Sequence, residues 1–323
     1  MPPENTGGLS RRAWQRYWQS DRLAACMPDH PSAAAAIEGH WRQVFSGLSS
    51  ATRVLDVATG NGVLLVWAAR AAGEQGRSLQ LTGIDAAQID PQRFVGAEQA
   101  VLRDVTFHGG VAAEQLPFED AAFDCVVSQF GLEYSEFGAS LSEVARVLAP
   151  RGSLHWLAHG ASSAVVAESA ARTAQMDYLL AQHGAFDAMG FFANALLQRR
   201  RVSKARDRLQ ACLEHARAYC GENPPAELVQ QVHDSFLHMA VEHAHYHPQD
   251  IAGLVEENRE KMRFYRRRLR DLLAAQLTPE RERQVAQLLS GSGWRDVSMS
   301  PLTATDTASE LGVIISATRA PGD

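Results

Sequence analysis

The run Val54-Leu55-Asp56-Val57-Ala58-Thr59-Gly60-Asn61-Gly62 restricts this chain more than any other stretch. It is an apolar, β-rich segment that ends in small residues and two glycines, then continues as Val63-Leu64-Leu65-Val66-Trp67-Ala68-Ala69-Arg70; this reads as strand, tight loop and helix. Such a unit opens a nucleotide-binding α/β sheet. Gly60 and Gly62 let the backbone turn sharply against a ligand, and the helix after them begins with unpaired N–H groups. A dinucleotide fold calls for a third glycine three residues on, where this chain has Leu65. In its place stands a pair of acids at strand ends: Asp56, and Asp85 in Leu81-Thr82-Gly83-Ile84-Asp85.

From 52 to 160, short apolar strands alternate with helical patterns, the signature of a parallel, doubly wound sheet. Strands are expected at 53–57, 79–84, 104–108, 123–128 and 152–158. Ligands of such sheets bind beyond the carboxyl ends of the strands, where the strand order reverses. Between 162 and 289 the strand signal stops and helical stripes take over. Thr278-Pro279-Glu280 marks a helix start, with a capping residue and a proline at the first position. Two strand-like runs then close the chain, Gly293 to Met299 and Gly312 to Arg319. Ahead of the sheet, Trp14 and Trp18, and Trp41 and Phe45, fall at helical spacing, while residues 1–10 read as disordered.

The glycine turn between two strand-end acids resembles the class I S-adenosylmethionine-dependent methyltransferases, particularly the branch of quinone-biosynthesis and small-molecule enzymes. The resemblance covers roughly residues 50–160 and the closing strands, about half the chain. It implies a seven-stranded, mostly parallel Rossmann-like sheet whose last strand is antiparallel. It further implies N-terminal cap helices over 1–50, a cofactor domain over 51–161 and 290–323, and an all-α insertion over 162–289 that acts as a lid, substrate or dimer subdomain. The cofactor implied is S-adenosylmethionine, with Asp56, Ala58, Thr59, Gly60, Asn61 and Gly62 around its methionine and ribose part. Asp85 and Ala86 follow at the end of the second strand, where a carboxylate can accept hydrogen bonds from both ribose hydroxyls; the bland alternative is a helix cap.

In Gly109-Gly110-Val111-Ala112-Ala113-Glu114-Gln115-Leu116-Pro117-Phe118 the family's adenine-contacting acid is replaced by Ala112, so main-chain groups of Ala112 and Ala113 take its place in the resemblance. After the fourth strand, Gln129 and Phe130 face the cofactor by the same resemblance, Phe130 offering an aromatic face to adenine or the sulfonium. Glu133, Tyr134 and His159 are the candidate acid–base groups, with helix capping or packing as the competing reading. Tyr17 or Trp18 of the N-terminal helix is the candidate that reaches over the pocket.

Composition excludes little. The 31 basic and 37 acidic residues give a net charge of −6, which disfavours a polyanion as default partner. Cys26, Cys125, Cys212 and Cys220 form no CxxC pair and read as reduced cytoplasmic thiols; neither a leader nor a membrane span is expected. The histidines from His243 to His247 alternate along a helix and are not read as a metal site. The apolar group Phe186, Met189, Phe191, Phe192, Leu196 and Leu197 is either a substrate wall, the insertion's core or a homodimer contact. Basic runs lie at 199–206 and 263–270. The expected activity is methyl transfer to an N or O atom of a small molecule. Its alternatives are a protein or RNA methyltransferase docking through the basic runs, and a non-catalytic cofactor-binding or oligomerisation protein.

Overall fold

Val54, Leu55 and Val57 are buried on both faces of one strand, as in the centre of a sheet covered on both sides, and the architecture is set around that strand. The computed structural model describes residues 6–20, 22–24, 31–291, 293–304 and 309–321. Its elements begin with α1 (Thr6–Trp18), α2 (Pro31–Ser46), β1 (Arg53–Val57), α3 (Val63–Gly73) and β2 (Gln80–Asp85). They continue with α4 (Pro91–Phe94), α5 (Gln99–Leu102), β3 (Thr106–Gly109), β4 (Phe123–Gln129), α6 (Phe137–Val147) and β5 (Leu148–Ala158). Five helices follow: α7 (Ala164–Leu179), α8 (Ala185–Gln198), α9 (Val202–Glu222), α10 (Glu227–Val241) and α11 (Pro248–Ala275). The chain then closes with α12 (Pro279–Gly291), β6 (Trp294–Thr303) and β7 (Glu310–Arg319).

The seven strands are ordered β3-β2-β1-β4-β5-β7-β6. Strands β1 to β5 pair in parallel, and β7 runs antiparallel to both β5 and β6. Strand order reverses between β1 and β4, which puts the crevice at their carboxyl ends. One face of the sheet is covered by α2 and α3 through Ile37, Trp41, Phe45, Leu64 and Leu65. The other is covered by α6 and α12 through Leu141, Val144, Val285 and Leu289. Trp41 and Phe45 stack at 5.8 Å inside the first layer, so this aromatic pair is core.

Two compact units emerge, one of residues 1–167 and 271–323, the other of 168–270. The division differs from the expected 162–289 insertion. Residues 271–289 belong with the sheet because α12 buries Val285 and Leu289 in its core, and Leu277 donates its N–H to the His159 carbonyl at 2.7 Å at the end of β5. The disorder expected over 1–10 is also corrected: helix α1 starts at Thr6, and residues 1–5 lie outside the described residues, as does Cys26.

Within the helical unit, Phe186, Met189 and Phe192 are fully buried among Leu209, Leu213, Val229 and Phe236. This apolar group is therefore the unit's own core, with Phe191 and Leu197 left exposed. Much of the basic face of α11 is ion-paired: Arg259 meets Asp187, while Arg266 and Arg270 both meet Asp177. His243 bonds the Ala240 carbonyl and His245 bonds Glu242, and among the described residues no cluster of His, Cys, Asp or Glu is placed to hold a metal. No helix of the described residues is long and apolar enough to cross a membrane.

Candidate active site

Asp85 is the last residue of β2, and each of its oxygens already receives a main-chain N–H: Gly60 donates to Oδ2 at 2.9 Å and Ala87 to Oδ1 at 2.7 Å. The carboxylate thereby ties the glycine loop to the bend after β2, caps no helix, since α4 starts only at Pro91, and forms part of a cavity wall. Burial raises its pKa to about 6, the two N–H donors holding it back. A carboxylate oxygen has two lone-pair positions, so one remains on each for a further donor.

Asp56, one strand over, is 1% exposed and does not reach the wall. The Thr59 hydroxyl donates to its Oδ2 at 2.6 Å, while Oδ1 meets no partner. Burial, offset in part by Thr59 and reinforced by the charge of Asp85, raises this carboxyl to about 8. Its effect on a ligand is thus exerted through the loop it braces.

The loop itself needs left-handed backbone at Ala58 (φ 59°), Gly60 (54°) and Gly62 (85°). Glycine meets that need at the last two positions, whereas Ala58 carries a Cβ there. A Cβ on Gly60 would fall 2.3 Å from the Trp18 ring, so α1 is packed directly on the loop. Asn61 explains how α1 is held. Its amide nitrogen donates to the carbonyls of Trp18, Ser20 and Arg22 at 3.2, 3.3 and 2.6 Å. Asn61, Thr59, Gly60 and Gly62 lie behind the wall, whereas Ala58 is on it.

A cavity of about 610 Å³ opens beyond the strand ends. One side is made by Val57, Ala58, Ile84, Asp85, Ala86 and the Val111–Glu114 turn, with Ala112 and Ala113 where the resemblance placed an adenine edge. The Val111 N–H donates to the Asp85 carbonyl at 2.9 Å, which fixes that turn beside β2. The Leu116-Pro117-Phe118 stretch lies farther out and is clipped by Arg146, which donates to the Leu116 and Phe118 carbonyls.

The opposite side is formed by Arg11, Trp14 and Trp18 of α1, by Phe130, Glu133 and Tyr134 after β4, and by Asp271, Ala274, Ala275 and Arg281. The Ser128 hydroxyl donates to the Val57 carbonyl at 2.8 Å and accepts the Leu132 N–H at 3.1 Å, locking the β4 exit to β1. Phe130 has φ 52°, and its ring stacks on His159 at 4.3 Å. Glu133 is fully buried. It accepts the His159 N–H at 3.0 Å and the Trp156 indole N–H at 3.1 Å, and its Oε1 is 2.6 Å from His159 Nδ1. That contact fixes the imidazole's orientation. Tyr134 lies edge-on to both Trp14 and His159.

The structure therefore gathers Ala58, Asp85, Ala86, Ala112, Ala113, Phe130, Glu133 and Tyr134 around one cavity. His159 sits beneath Phe130, fully buried and off the wall. Gln129 is turned away, accepting the Trp41 indole N–H at 2.6 Å. Tyr17 is turned away as well: its hydroxyl donates to the Ala24 carbonyl, and Trp14 and Trp18 take the place expected of it. Sequence reasoning missed the wall residues Arg11, Trp14, Asp271 and Arg281. The Thr278 cap did mark the helix that carries Arg281, and its hydroxyl accepts the Arg281 N–H at 3.3 Å, but no sequence signal says where that helix lies.

Residues 54–152, which supply most of the wall, match the family described as a methyltransferase domain. The chain holds a class I S-adenosylmethionine-dependent methyltransferase domain. A ubiquinone/menaquinone biosynthesis C-methyltransferase of Marinomonas sp. (strain MWYL1) is 36% identical over 110 residues, 34% of this chain and 43% of that protein. Its counterpart in Photorhabdus laumondii subsp. laumondii is 37% identical over 123 residues, 35% and 46% of the two chains. The chain thus spans less than half the length of the curated relatives it matches. Among solved structures, phosphoethanolamine N-methyltransferase 1 of Haemonchus contortus is 17% identical, covering 50% of this chain and 34% of that one, with a TM-score of 0.37.

S-adenosylmethionine is the cofactor of such methyltransferase domains, and the residues present suit it. An acid with open lone pairs faces the cavity, and a left-handed loop with small residues lies beside it. The volume falls in the range of ordinary cofactor and ligand sites, about 300–1,000 Å³.

Proposed function

We propose that the methyltransferase domain moves the methyl group of S-adenosylmethionine to an N or O atom of a small molecule held in the 610 Å³ cavity. The observation that carries this reading is Asp85, a wall carboxylate at the tip of β2 whose oxygens are aimed by two N–H donors yet retain room to accept the two ribose hydroxyls. The bound cofactor supplies an electrophilic methyl on a cationic sulfur. The chain's own part is placement. Ala58 and the glycine loop let the backbone approach, main-chain groups of Ala112 and Ala113 meet the adenine edge, and Phe130 turns an aromatic face toward the cation.

Catalysis is then mostly orientation and the exclusion of water by Trp14 and Trp18. Where the acceptor must lose a proton, Glu133 or Tyr134 on the wall takes it, and His159 acts from behind as a positioning residue for Glu133. A second reading, transfer to carbon, is favoured by the C-methyltransferase names of the two relatives.

Methyl-labelled cofactor incubated with the protein and a fractionated extract tests both. Label in a small molecule supports the proposal, and the position of the new methyl separates N or O from C. Label in protein or RNA instead overturns it in favour of a macromolecular acceptor, and cofactor binding without any labelled product points to a scaffold.

A further inference from the structure

Three arginines of the sheet-bearing unit end on carboxylates, Arg53 on Asp124, Arg70 on Glu98, and Arg146 on Glu143 and Asp120. Arg281, which faces the cavity, does not. It stands in the first turn of α12 on the cavity wall, half-buried, with its guanidinium 4.6 Å from the centre of the Phe137 ring. Its two side-chain hydrogen bonds go to main-chain carbonyls, Nη2 to Glu133 at 2.7 Å and Nη1 to Ala274 at 2.9 Å. These bonds aim the group without neutralising it. The Glu133 carboxylate is close enough to be felt but is committed to His159 and Trp156, and no carboxylate of the described residues forms an ion pair with Arg281. Burial accordingly holds the guanidinium below its ordinary pKa. A second arginine without an ion pair among the described residues, Arg11 of α1, lines the same cavity. A cation withdrawn from water without a counter-ion is costly, and a ligand that brings the anion removes that cost.

Resting on the methyl-transfer reading, we propose that the acceptor carries an anionic group, carboxylate or phosphate, held by Arg281 with Arg11 beside it, on a flat apolar body that lies against Trp14, Tyr134 and Phe130. The planar fork of five N–H donors suits either oxyanion.

The small molecules of an extract, passed over an anion exchanger at neutral pH, give a retained anionic pool and an unretained pool of neutral and cationic compounds. With methyl-labelled cofactor, label is expected in the retained pool. Phosphatase treatment of that pool before the reaction abolishes labelling of a phosphate ester and leaves a carboxylate acceptor untouched. For the labelled compound, Arg281→Gln is expected to raise KM at least about tenfold, the loss of one charge-assisted contact, with a smaller change in kcat. Arg281→Lys should recover part of that loss, and cofactor affinity should stay within about twofold in both variants. Label confined to the unretained pool, or an unchanged KM in Arg281→Gln, overturns this inference while leaving methyl transfer intact. Label in neither pool overturns methyl transfer to a small molecule and this inference together.

Discussion

The two sides of the cavity are built in opposite ways. The side toward β1 and β2 is assembled from strand ends and the short turns after them, all within residues 57–114, and one residue ties it together: the Asp85 carboxylate accepts the Gly60 and Ala87 N–H groups, and its carbonyl accepts that of Val111. The opposite side collects α1, the β4 exit and the start of α12, residues 11 to 281, held by side chains such as Asn61, Ser128 and Arg281. A contiguous surface built from neighbouring strand ends is suited to a ligand that never changes. A wall drawn from distant segments can alter one residue at a time, and it is there that specificity for an acceptor can reside.

If the comparison holds, the largest effect follows from Asp85→Ala. Two charge-assisted bonds at about 1.5–3 kcal/mol each are lost, so affinity for S-adenosylhomocysteine, read by calorimetry, should fall at least about 100-fold. An unchanged affinity would break the assignment of that side to the cofactor.

The next effect is on stability against pH. Burial lifts both acids above their ordinary value, to about 8 for Asp56 and about 6 for Asp85, so the folded chain binds protons that the unfolded chain has already released. The stability of the ligand-free protein should therefore decline as pH rises from about 4 to about 8, by up to about 1.4 kcal/mol per pH unit for each group. Urea unfolding of Asp56→Asn should lose the part of the slope that extends to 8, and Asp85→Asn the part that ends near 6. A wild-type profile that is flat across this window contradicts the buried-pair geometry.

On the opposite side, Trp18→Ala removes the ring packed on Gly60 and should weaken cofactor binding about tenfold, a loss of about 1.4 kcal/mol. Cofactor titration followed by tryptophan fluorescence checks this, and a loss as large as that of Asp85→Ala would erase the distinction between the two walls.

The smallest effect sharpens the account of the loop. Ala58 sits in the left-handed region, where a Cβ costs about 1–2 kcal/mol and glycine's extra freedom in the unfolded chain returns part of it. Ala58→Gly should raise the unfolding free energy by about 0.5–1 kcal/mol, and a destabilised variant would show that its methyl group is a needed packing contact.

The legible parts of this protein were those in which local chemistry and position coincide. Short Val- and Leu-rich runs punctuated by Gly60 and Gly62 placed the strands closely, although β5 begins at Leu148, four residues before the expected 152, because strand periodicity and turn conformations are local properties. Asp85 could be singled out because the end of a strand before a turn fixes which way a side chain points. Tyr17 and Trp18 could not be told apart in the same manner, since one residue turns a helix by about 100° and the sequence does not say which face meets the loop. The histidine at the end of β5 was found, yet its burial under Phe130 was not, because that depends on a ring supplied 29 residues earlier in the chain.

The sequence by itself determined that a parallel sheet would form with an acid and a glycine loop at the carboxyl ends of its first two strands, since these follow from backbone sterics, side-chain period and burial. Only the tertiary structure decided that Asp56 braces the loop while Asp85 faces the cavity, that Asn61 holds α1 in place, and that Arg281 arrives on the wall when Leu277 pairs at the end of β5. Those outcomes turn on which distant groups exclude water from one another, and water exclusion is a property of the packed chain as a whole.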